Sequence, residues 1–386
     1  MSGVPISLGR DALLARAREV TGIDRDDTDA VEALDVLLAS LNGESQLHAE
    51  GATAMERKLI RLLSNRLRIQ RDFAEHPEIR DQEIRPPLII FGMARTGTTK
   101  LQKVLSASGD FNWWPLWQVL NPALHTGVPG ESPRPRIDDA TGFADWYARV
   151  SPEAMIGHEY STFEPEEECM VLEHTLVTPV FFGFSVVNDY LGWVMRQDIR
   201  AQFRFLREMV QYLQWQGLAD PAKRWILKCP LYHGMADLIM EQFPGAQIFM
   251  MHRNPAENIP SWLKLADGLY AAFANRLVDT DQQVRGLVGG MRRHLRVRAE
   301  HPEWRMLDVA FGDLVTDSYA VIERIYDALG DPLTEESKAR MLQWEHDNPQ
   351  HKKGRHTYAL DDYGLTAEGV AESFEEYLAF QREMFG

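Results

Sequence analysis

Apolar residues recur every three or four positions through roughly the first eighty residues of the chain. They form three stripes: Leu13, Leu14, Ala17 and Val20; Leu34, Leu37, Leu38 and Leu41; and Leu59, Ile60, Leu62, Leu63 and Leu67. This spacing places side chains on one face of an α-helix, so residues 10 to about 80 are predicted to be helical. We interpret the stripes as packing faces rather than as parts of a site.

A different pattern begins after Pro86 and Pro87, which end the helical prefix. Short apolar runs at 87–91, 225–227, 247–251 and 306–310 predict buried strands, and helical patterns such as 236–243 and 319–329 intervene. Strands that alternate with helices favour a parallel sheet with right-handed crossovers. The chain is therefore predicted to be an α/β protein in which helices flank a parallel sheet. Residues 128–138, which contain three prolines and a glycine, are predicted to be a loop.

The first predicted strand leads into a glycine-containing loop. Gly92 and Gly97 have the spacing of a phosphate-binding G-x-x-x-x-G-K-[ST] loop, and a helix is predicted to begin at Thr98. Backbone N–H groups of such a loop and the helix N-terminus bind phosphate or sulfate. Thr98 occupies the position of the lysine that contacts the β- and γ-phosphates. We therefore expect an anion other than a triphosphate, held by amides, hydroxyls and Arg95. An ordinary strand–turn–helix is the alternative.

A second motif lies at 248–261, where a predicted strand ends at His252 and Arg253-Asn254-Pro255 turns the chain into a helix. A guanidinium suits phosphate, and the hydroxyl of Ser261 on that helix would complete an anion site. The alternative is a surface ion pair and an unrelated serine. Pro260, directly before Ser261, is expected to kink the helix and to affect the direction of the serine side chain.

Together these motifs resemble the sulfotransferases that use 3′-phosphoadenosine 5′-phosphosulfate (PAPS), in particular the larger bacterial type with an N-terminal helical extension. The resemblance covers residues 87–366. It implies a P-loop-type parallel sheet, with a helical extension at 1–85 and a sulfotransferase α/β domain at 86–386 that ends in a nucleotide-closing loop and a tail. The loop Arg95-Thr96-Gly97-Thr98-Thr99 matches the family's 5′-phosphosulfate loop, although Ala94 and Thr96 depart mildly from its pattern.

The same resemblance implies where the rest of the donor binds. Arg253 and Ser261 would surround the 3′-phosphate, with the product adenosine 3′,5′-bisphosphate (PAP) binding in the same place. A basic segment near the C-terminus, which contains Lys353, Gly354 and Arg355, resembles the loop that closes over the nucleotide. A solvated basic turn is the alternative for this segment. No metal is implied.

Sulfuryl transfer needs cations at the sulfate and a base for the proton of the acceptor. The predicted cations are Arg95 and Lys228, which ends a strand and resembles the lysine that relatives present to the sulfate; a strand-end side chain that reaches solvent is the alternative. For the base we predict His233, five residues after Lys228, or a carboxylate of the run 166–168, represented by Glu167. A solvated helix start is an equal interpretation of that run.

Composition limits the partners of the protein. The 386 residues carry a net charge of −16, which argues against nucleic acid because phosphate affinity rests on basic surface. Two cysteines without C-x-x-C spacing, no secretion signal and no long apolar run predict a cytoplasmic protein without a transmembrane segment. We keep a homodimer as the oligomeric hypothesis.

An aromatic-rich stretch lies between the two donor motifs. Its members are Trp113, Trp114, Trp117, Trp146, Tyr147, Phe181, Phe182, Phe184, Tyr190 and Trp193. Most are interpreted as core, but the excess favours an apolar pocket for a small alcohol, phenol or lipid-like acceptor. A small-molecule kinase and a non-catalytic nucleotide-binding relative are the competing hypotheses, the first disfavoured by Thr98 and the second kept open by the position of His233.

Overall fold

In a computed structural model, residues 8–25, 27–276, 278–349 and 358–386 are described. They contain five strands, which are β1 (Leu88–Gly92), β2 (Phe111–Asn112), β3 (Arg224–Lys228), β4 (Gln247–His252) and β5 (Met306–Ala310). The strands form one sheet in the order β2-β3-β1-β4-β5, and every pair is parallel. The predicted α/β fold with a parallel sheet is confirmed. Each predicted strand is present, and only the short β2 was not predicted.

Helices cover both faces of the sheet and form the N-terminal extension. The extension consists of α1 (Arg10–Thr21), α2 (Thr28–Gly43) and α3 (Ala49–Glu75). The rest are α4 (Thr98–Ala107), α5 (Leu116–Leu120), α6 (Arg134–Val150), α7 (Pro152–Gly157), α8 (Asn188–Val194), α9 (Arg200–Trp215), α10 (Ala236–Gln242), α11 (Pro255–Ala271), α12 (Thr280–Glu300), α13 (Phe311–Thr316), α14 (Ser318–Leu329), α15 (Glu335–Asp347), α16 (Ala367–Ser373) and α17 (Glu375–Phe385). Short 3-10 helices span Pro77–Asp81, Glu168–Thr175, Pro179–Gly183, Pro230–Gly234 and Asp361–Tyr363.

One prediction about the chain path is wrong. Residues 128–138 were predicted to be a loop because of their prolines, but α6 begins at Arg134. Pro135 lies in the first turn of that helix, where a missing backbone N–H removes no helical hydrogen bond. The prolines therefore start the helix rather than prevent it.

The sheet divides the core into two layers. Alternate residues of β1 point to opposite faces, so Ile89 and Phe91 join one apolar cluster while Leu88 and Ile90 join the other. The leucine stripes of the N-terminal helices are buried in the first cluster, beside the residues of β1. The predicted boundary at residue 85 thus falls just before the first strand, but the two segments share one hydrophobic core.

The register of the sheet brings the functional segments to one edge. Ile90 pairs with Lys228, Gly92 with Met251, and His252 with Ala310. Because the carboxyl ends of parallel strands meet at one edge of a sheet, the segments that follow β1, β3 and β4 lie next to each other. A ligand site is expected in the crevice at this edge.

Candidate active site

The loop between β1 and α4 is built for close backbone approach. A side chain at position 92 would collide with the carbonyl of Met251 and the hydroxyl of Thr96, so only glycine fits there. Gly97 precedes α4 with a φ of 93°, and Arg95 has a φ of 70°, which is uncommon for a residue with a side chain. The loop therefore holds strained backbone at the N-terminus of a helix, which is typical of an anion-binding site.

Thr96, Thr98 and Thr99 have different surroundings. The hydroxyl of Thr96 is buried and donates to the carbonyl of Met93 at 2.7 Å, so this side chain stabilises the loop itself. Thr98 is 3% exposed at the first position of α4, whereas Thr99 is half-buried. Thr96 therefore stabilises the loop, whereas Thr98 and Thr99 lie in the first turn of α4, at the helix N-terminus.

Arg95 joins the phosphate loop to two other segments. Its Nε donates to the hydroxyl of Ser261 at 3.1 Å, and its Nη1 donates to the carbonyl of Gly157 at 2.6 Å. Burial lowers the pKa of Arg95, while nearby Tyr358 raises it and Arg253 lowers it. The contact with Ser261 brings together two predicted site residues that lie far apart in the sequence.

Arg253 lies on the other side of the same loop. Its Nη1 donates to the carbonyl of Arg95 at 3.1 Å, its Nε contacts Glu257 at 3.1 Å, and its guanidinium lies 4.5 Å from the ring centre of Phe311. A guanidinium stacked on an aromatic ring is held in one plane, which suits bidentate binding of phosphate. Arg95, Arg253 and Ser261 thus converge beside the loop, and guanidinium and hydroxyl groups are suited to phosphate.

Helix α11 carries Ser261 despite the proline that precedes it. Asn254 caps the helix by accepting the backbone N–H of Ala256, and Pro255 occupies its first turn. The helix then continues through Pro260 to Ala271, and Ser261 faces Arg95. Pro260 therefore does not turn the serine away from the site.

Lys228 reaches the phosphate loop from the neighbouring strand. Its Nζ lies 3.3 Å from the hydroxyl of Thr99 and 2.6 Å from a carboxylate oxygen of Glu167. The side chain is fully buried, so the alternative of a solvent-directed strand-end lysine is wrong. Burial alone would lower the pKa of Lys228, but Glu167 and Glu166 outweigh it and raise the pKa. The side chain of Lys228, which belongs to β3, therefore brings a positive charge to the first turn of α4.

All three glutamates of the run 166–168 have partners inside the protein. Glu166 contacts Nε2 of His158 at 3.0 Å, and Glu167 binds Lys228. Glu168 accepts the hydroxyl of Tyr232 at 2.6 Å and the backbone N–H of Lys228 at 2.8 Å. The interpretation of this run as a solvated helix start is wrong, because its carboxylates surround the lysine.

His233 lies apart from these groups. It is buried in the 3-10 helix after β3, where its Nδ1 hydrogen-bonds the carbonyl of Pro230 and its Nε2 lies against Gly290 of α12. A side chain at position 290 would collide with the imidazole. Burial lowers the pKa of His233, with the Pro230 carbonyl opposing the shift. Both ring nitrogens of His233 are thus directed at the packed interior.

Other predicted residues can be placed only in part. Lys353, Gly354 and Arg355 lie outside the described residues. Tyr358, the first described residue after them, is close enough to Arg95 to affect its pKa. Tyr358 therefore lies near the phosphate loop.

Three residues at the site were not predicted from the sequence. Phe311 lies under Arg253, Asn258 donates to the carbonyl of Ala94 at 3.1 Å, and His158 binds Glu166. Phe311 follows β5 directly, so its position at a strand end was the signal that could have identified it. Asn258 and His158 carry no such signal, because their partners come from distant segments.

One group of possible metal ligands occurs among the described residues. It consists of Glu167, Cys169 and Cys229, whose ligand atoms lie within 4.8 Å of one another. Burial raises the pKa of both thiols, and the carboxylate is paired with Lys228. Protonated thiols beside an ammonium are unfavourable for a cation, so we assign no metal to this group.

Comparison with known proteins identifies the family. The model of the sulfotransferase family matches residues 86–335, more than half of the chain. A sulfotransferase of Mycobacterium tuberculosis H37Rv, STF1, is 27% identical and superimposes with a TM-score of 0.77 over 96% of this chain and 99% of its own. A sulfotransferase of Mycobacterium avium, STF9, has the same fold at 23% identity, with a TM-score of 0.82 over 98% and 97% of the two chains. A search of the curated proteins finds no match.

The chain therefore belongs to the sulfotransferase family and is a transferase enzyme that moves sulfuryl groups. The resemblance inferred from the motifs is confirmed, as is the N-terminal helical extension, since both mycobacterial structures are matched over nearly their whole length. Within the described ranges, no helix combines the length and the apolar character that crossing a membrane would require.

Proposed function

We propose that the protein transfers a sulfuryl group from PAPS to the hydroxyl of a small, apolar acceptor. The observation that carries this proposal is the convergence of Arg95, Arg253 and Ser261 beside the phosphate loop. Two adjacent anion sites suit a nucleotide with phosphates at both the 3′ and the 5′ positions. A nucleoside triphosphate would need a lysine at position 98 instead, and this chain has threonine there.

The residues present fit such a donor. Arg253 and Ser261 would hold the 3′-phosphate, and the amides of Gly97 to Thr99 with the hydroxyls of Thr98 and Thr99 would hold the 5′-phosphate. When bound, PAPS supplies an activated sulfuryl group. The basic segment that contains Lys353, Gly354 and Arg355 is proposed to close over the nucleotide.

Lys228 is proposed to stabilise the sulfonate charge. Its buried ammonium lies at the start of α4, and an ammonium in a dry site stabilises developing negative charge more strongly than one in water. Glu167 is proposed to position this ammonium, since it contacts Lys228 at 2.6 Å. Of the two bases predicted from the sequence, Glu167 contacts Lys228, whereas His233 binds the carbonyl of Pro230 through Nδ1 and packs its Nε2 against Gly290.

The acceptor proposal rests on a minority of the aromatic stretch. Trp114, Tyr147, Phe181 and Tyr190 are buried core residues. The half-buried members are Trp113, Trp146, Phe182 and Trp193. Trp113 precedes Trp114, whose carbonyl accepts the backbone N–H of Glu166, so at least this ring belongs to a segment tied to the site. These rings support an apolar alcohol or phenol as the acceptor.

Thermal and chemical unfolding with three nucleotides tests the donor proposal. PAP without a divalent metal should stabilise the protein, by about 2.7 kcal/mol at a hundredfold excess over its dissociation constant. 5′-AMP, which lacks the 3′-phosphate, and ATP with Mg²⁺ should stabilise it much less. Equal stabilisation by PAP and 5′-AMP would refute the 3′-phosphate site, and preference for ATP with Mg²⁺ would support a kinase.

Transfer of radiolabelled sulfate from PAPS across a panel of alcohols and phenols tests the acceptor class. PAP binding without transfer to any acceptor would indicate a nucleotide-binding relative without activity.

The predictions of a cytoplasmic location and of a homodimer stay predictions. Cell fractionation would test the location, and analytical sedimentation would test the oligomeric state.

A further inference from the structure

His158 stands directly beside the donor site. It follows the last residue of α7, Gly157, whose carbonyl accepts a hydrogen bond from Arg95 at 2.6 Å. Its partner Glu166 is close enough to Lys228 to raise the pKa of that lysine. The His158–Glu166 pair therefore lies between the two cations that are proposed to hold the reacting end of the donor.

Glu166 holds the imidazole firmly. Its carboxylate oxygens lie 3.0 and 3.2 Å from Nε2 of His158, and one of them also accepts the backbone N–H of Glu167 at 2.8 Å. The main chain of Glu166 is fixed as well, because its N–H donates to Trp114 at 2.8 Å and its carbonyl accepts from Gln102 of α4 at 3.0 Å. Glu166 is 3% exposed and is anchored independently of His158 at three atoms, its backbone N–H, its carbonyl and one carboxylate oxygen, so it determines where the ring lies.

The ionisation of Glu166 is favoured by its surroundings. Burial would raise its pKa, but the charge of His158 and its hydrogen bond, the charge of Lys228 and the N–H of Glu167 together lower it below the ordinary value. An ionised carboxylate only accepts hydrogen bonds, so Nε2 of His158 carries the proton when the imidazole is neutral. The lone pair of the ring is then on Nδ1.

Within the described residues the hydrogen bonds of the His158 ring are made by Nε2, which leaves Nδ1 for another partner, and the side chain is 16% exposed. Its ring packs edge-on against Tyr160, with the ring centroids 5.0 Å apart. His233, in contrast, directs both nitrogens at packed backbone. A neutral imidazole with one nitrogen held by a carboxylate and the other accessible has the arrangement of a general base.

We propose that His158 is the general base for the acceptor, with Glu166 as its positioning residue; this inference rests on the proposed function. As the acceptor oxygen forms its bond to sulfur, the bond from sulfur to the 5′-phosphate oxygen breaks and its electron pair stays on the phosphate of PAP. The acceptor proton moves to Nδ1 of His158. The resulting imidazolium is stabilised by the carboxylate of Glu166.

His158→Gln separates a base from a structural residue. The glutamine amide keeps a donor for Glu166 while the basic Nδ1 is lost. The probes are 4-nitrobenzyl alcohol, which must lose its proton during transfer, and 4-nitrophenol at about pH 9, where it is already ionised; water serves as a third acceptor through hydrolysis of PAPS. His301→Gln is the matched control. His301 also binds a glutamate, Glu303, at 3.0 Å, but it precedes the amino end of β5, whereas the candidate site lies at the carboxyl ends of the strands.

The two acceptors should respond differently. His158→Gln is expected to lower kcat for the alcohol and for water by about 10²–10⁴-fold, the usual contribution of a general base. Turnover of 4-nitrophenolate should fall less than about tenfold, and PAP affinity should stay unchanged in calorimetry. Equal losses with both probes, or no loss with the alcohol, would overturn the assignment. Glu166→Gln should show the same selectivity with a smaller loss, which keeps the test available if His158→Gln does not fold.

A measurement without donor tests the geometry. In protein labelled with ¹⁵N-histidine, the His158 resonances, assigned by their loss in His158→Gln, should report a protonated Nε2 and an unprotonated Nδ1. A protonated Nδ1 in the neutral ring would overturn the proposal. If the wild-type protein neither binds PAP nor transfers sulfate to any probe, the proposed function fails. The spectrum still shows which nitrogen of His158 carries the proton, so the two failures can be distinguished.

Discussion

Glu168→Gln should change how the stability of the protein depends on pH. Glu168 is fully buried, and burial raises its pKa to about 7 against the opposing hydrogen bonds from Tyr232 and from the backbone of Lys228. In its protonated form the carboxyl can donate to the Tyr232 oxygen and accept from the Lys228 N–H. A glutamine amide makes the same two hydrogen bonds but does not titrate, so it mimics the protonated glutamate at every pH.

The magnitude follows from the difference in proton affinity. A pKa of 4.5 in the unfolded chain and of about 7 in the folded protein corresponds to about 3 kcal/mol, at about 1.4 kcal/mol for each tenfold change. Because the folded-state pKa is the higher one, this stability is fully present below about pH 4.5 and is lost as the pH rises through 7. Above that range the wild-type protein carries an ionised, buried carboxylate, and the variant does not.

Urea unfolding of both proteins at a series of pH values measures the effect. The free energy of unfolding of Glu168→Gln relative to wild type should increase by about 3 kcal/mol between pH 4.5 and 8. Coincident fluorescence and circular dichroism transitions would verify that the comparison is between single-step unfolding reactions. Glu372→Gln on the exposed face of α16 is the control and should show a difference that is flat in pH. A flat difference for Glu168→Gln as well would refute the argument that burial governs this carboxyl.

Four further variants test the site and the core. Arg253→Ala should weaken PAP binding at least about tenfold in calorimetry, since a hydrogen bond to a charged group contributes roughly 1.5–3 kcal/mol; unchanged affinity would make Arg253 a surface cation only. Glu167→Gln should lower turnover about tenfold while PAP affinity stays unchanged. His233→Ala should lower the melting temperature and leave turnover unchanged. A loss of turnover of 10²-fold or more in a folded His233→Ala protein would instead identify His233 as the base. Leu62→Ala in α3 should destabilise the protein by about 2–5 kcal/mol in urea unfolding, because the side chain is fully buried, and a smaller cost would mean that the extension packs loosely.

The sequence by itself determined most of the elements and the loops that we propose to bind the donor. The four longer strands were predictable because each is a short apolar run that is buried in a parallel sheet, whereas β2 spans only two residues. The loop at Gly92–Gly97 and the turn at Arg253-Asn254-Pro255 were predictable because glycine, proline and asparagine restrict or permit particular backbone angles locally. Phosphate chemistry then follows from the residues in those turns, with no knowledge of what lies beside them.

Only the tertiary structure decided which side chains meet. Arg95 contacts Ser261 because β4 pairs directly with β1, an order that no local pattern specifies. The sequence allowed the carboxylates at 166–168 to be interpreted as solvent-exposed. In the structure they lie at the edge of the sheet and contact Lys228 and His158. His233 is close to Lys228 along the chain, but its 3-10 helix turns it toward α12. Local patterns fix backbone conformation, whereas packing of the whole chain selects partners that are far apart in sequence. We therefore propose the proton acceptor from the fold and not from the sequence.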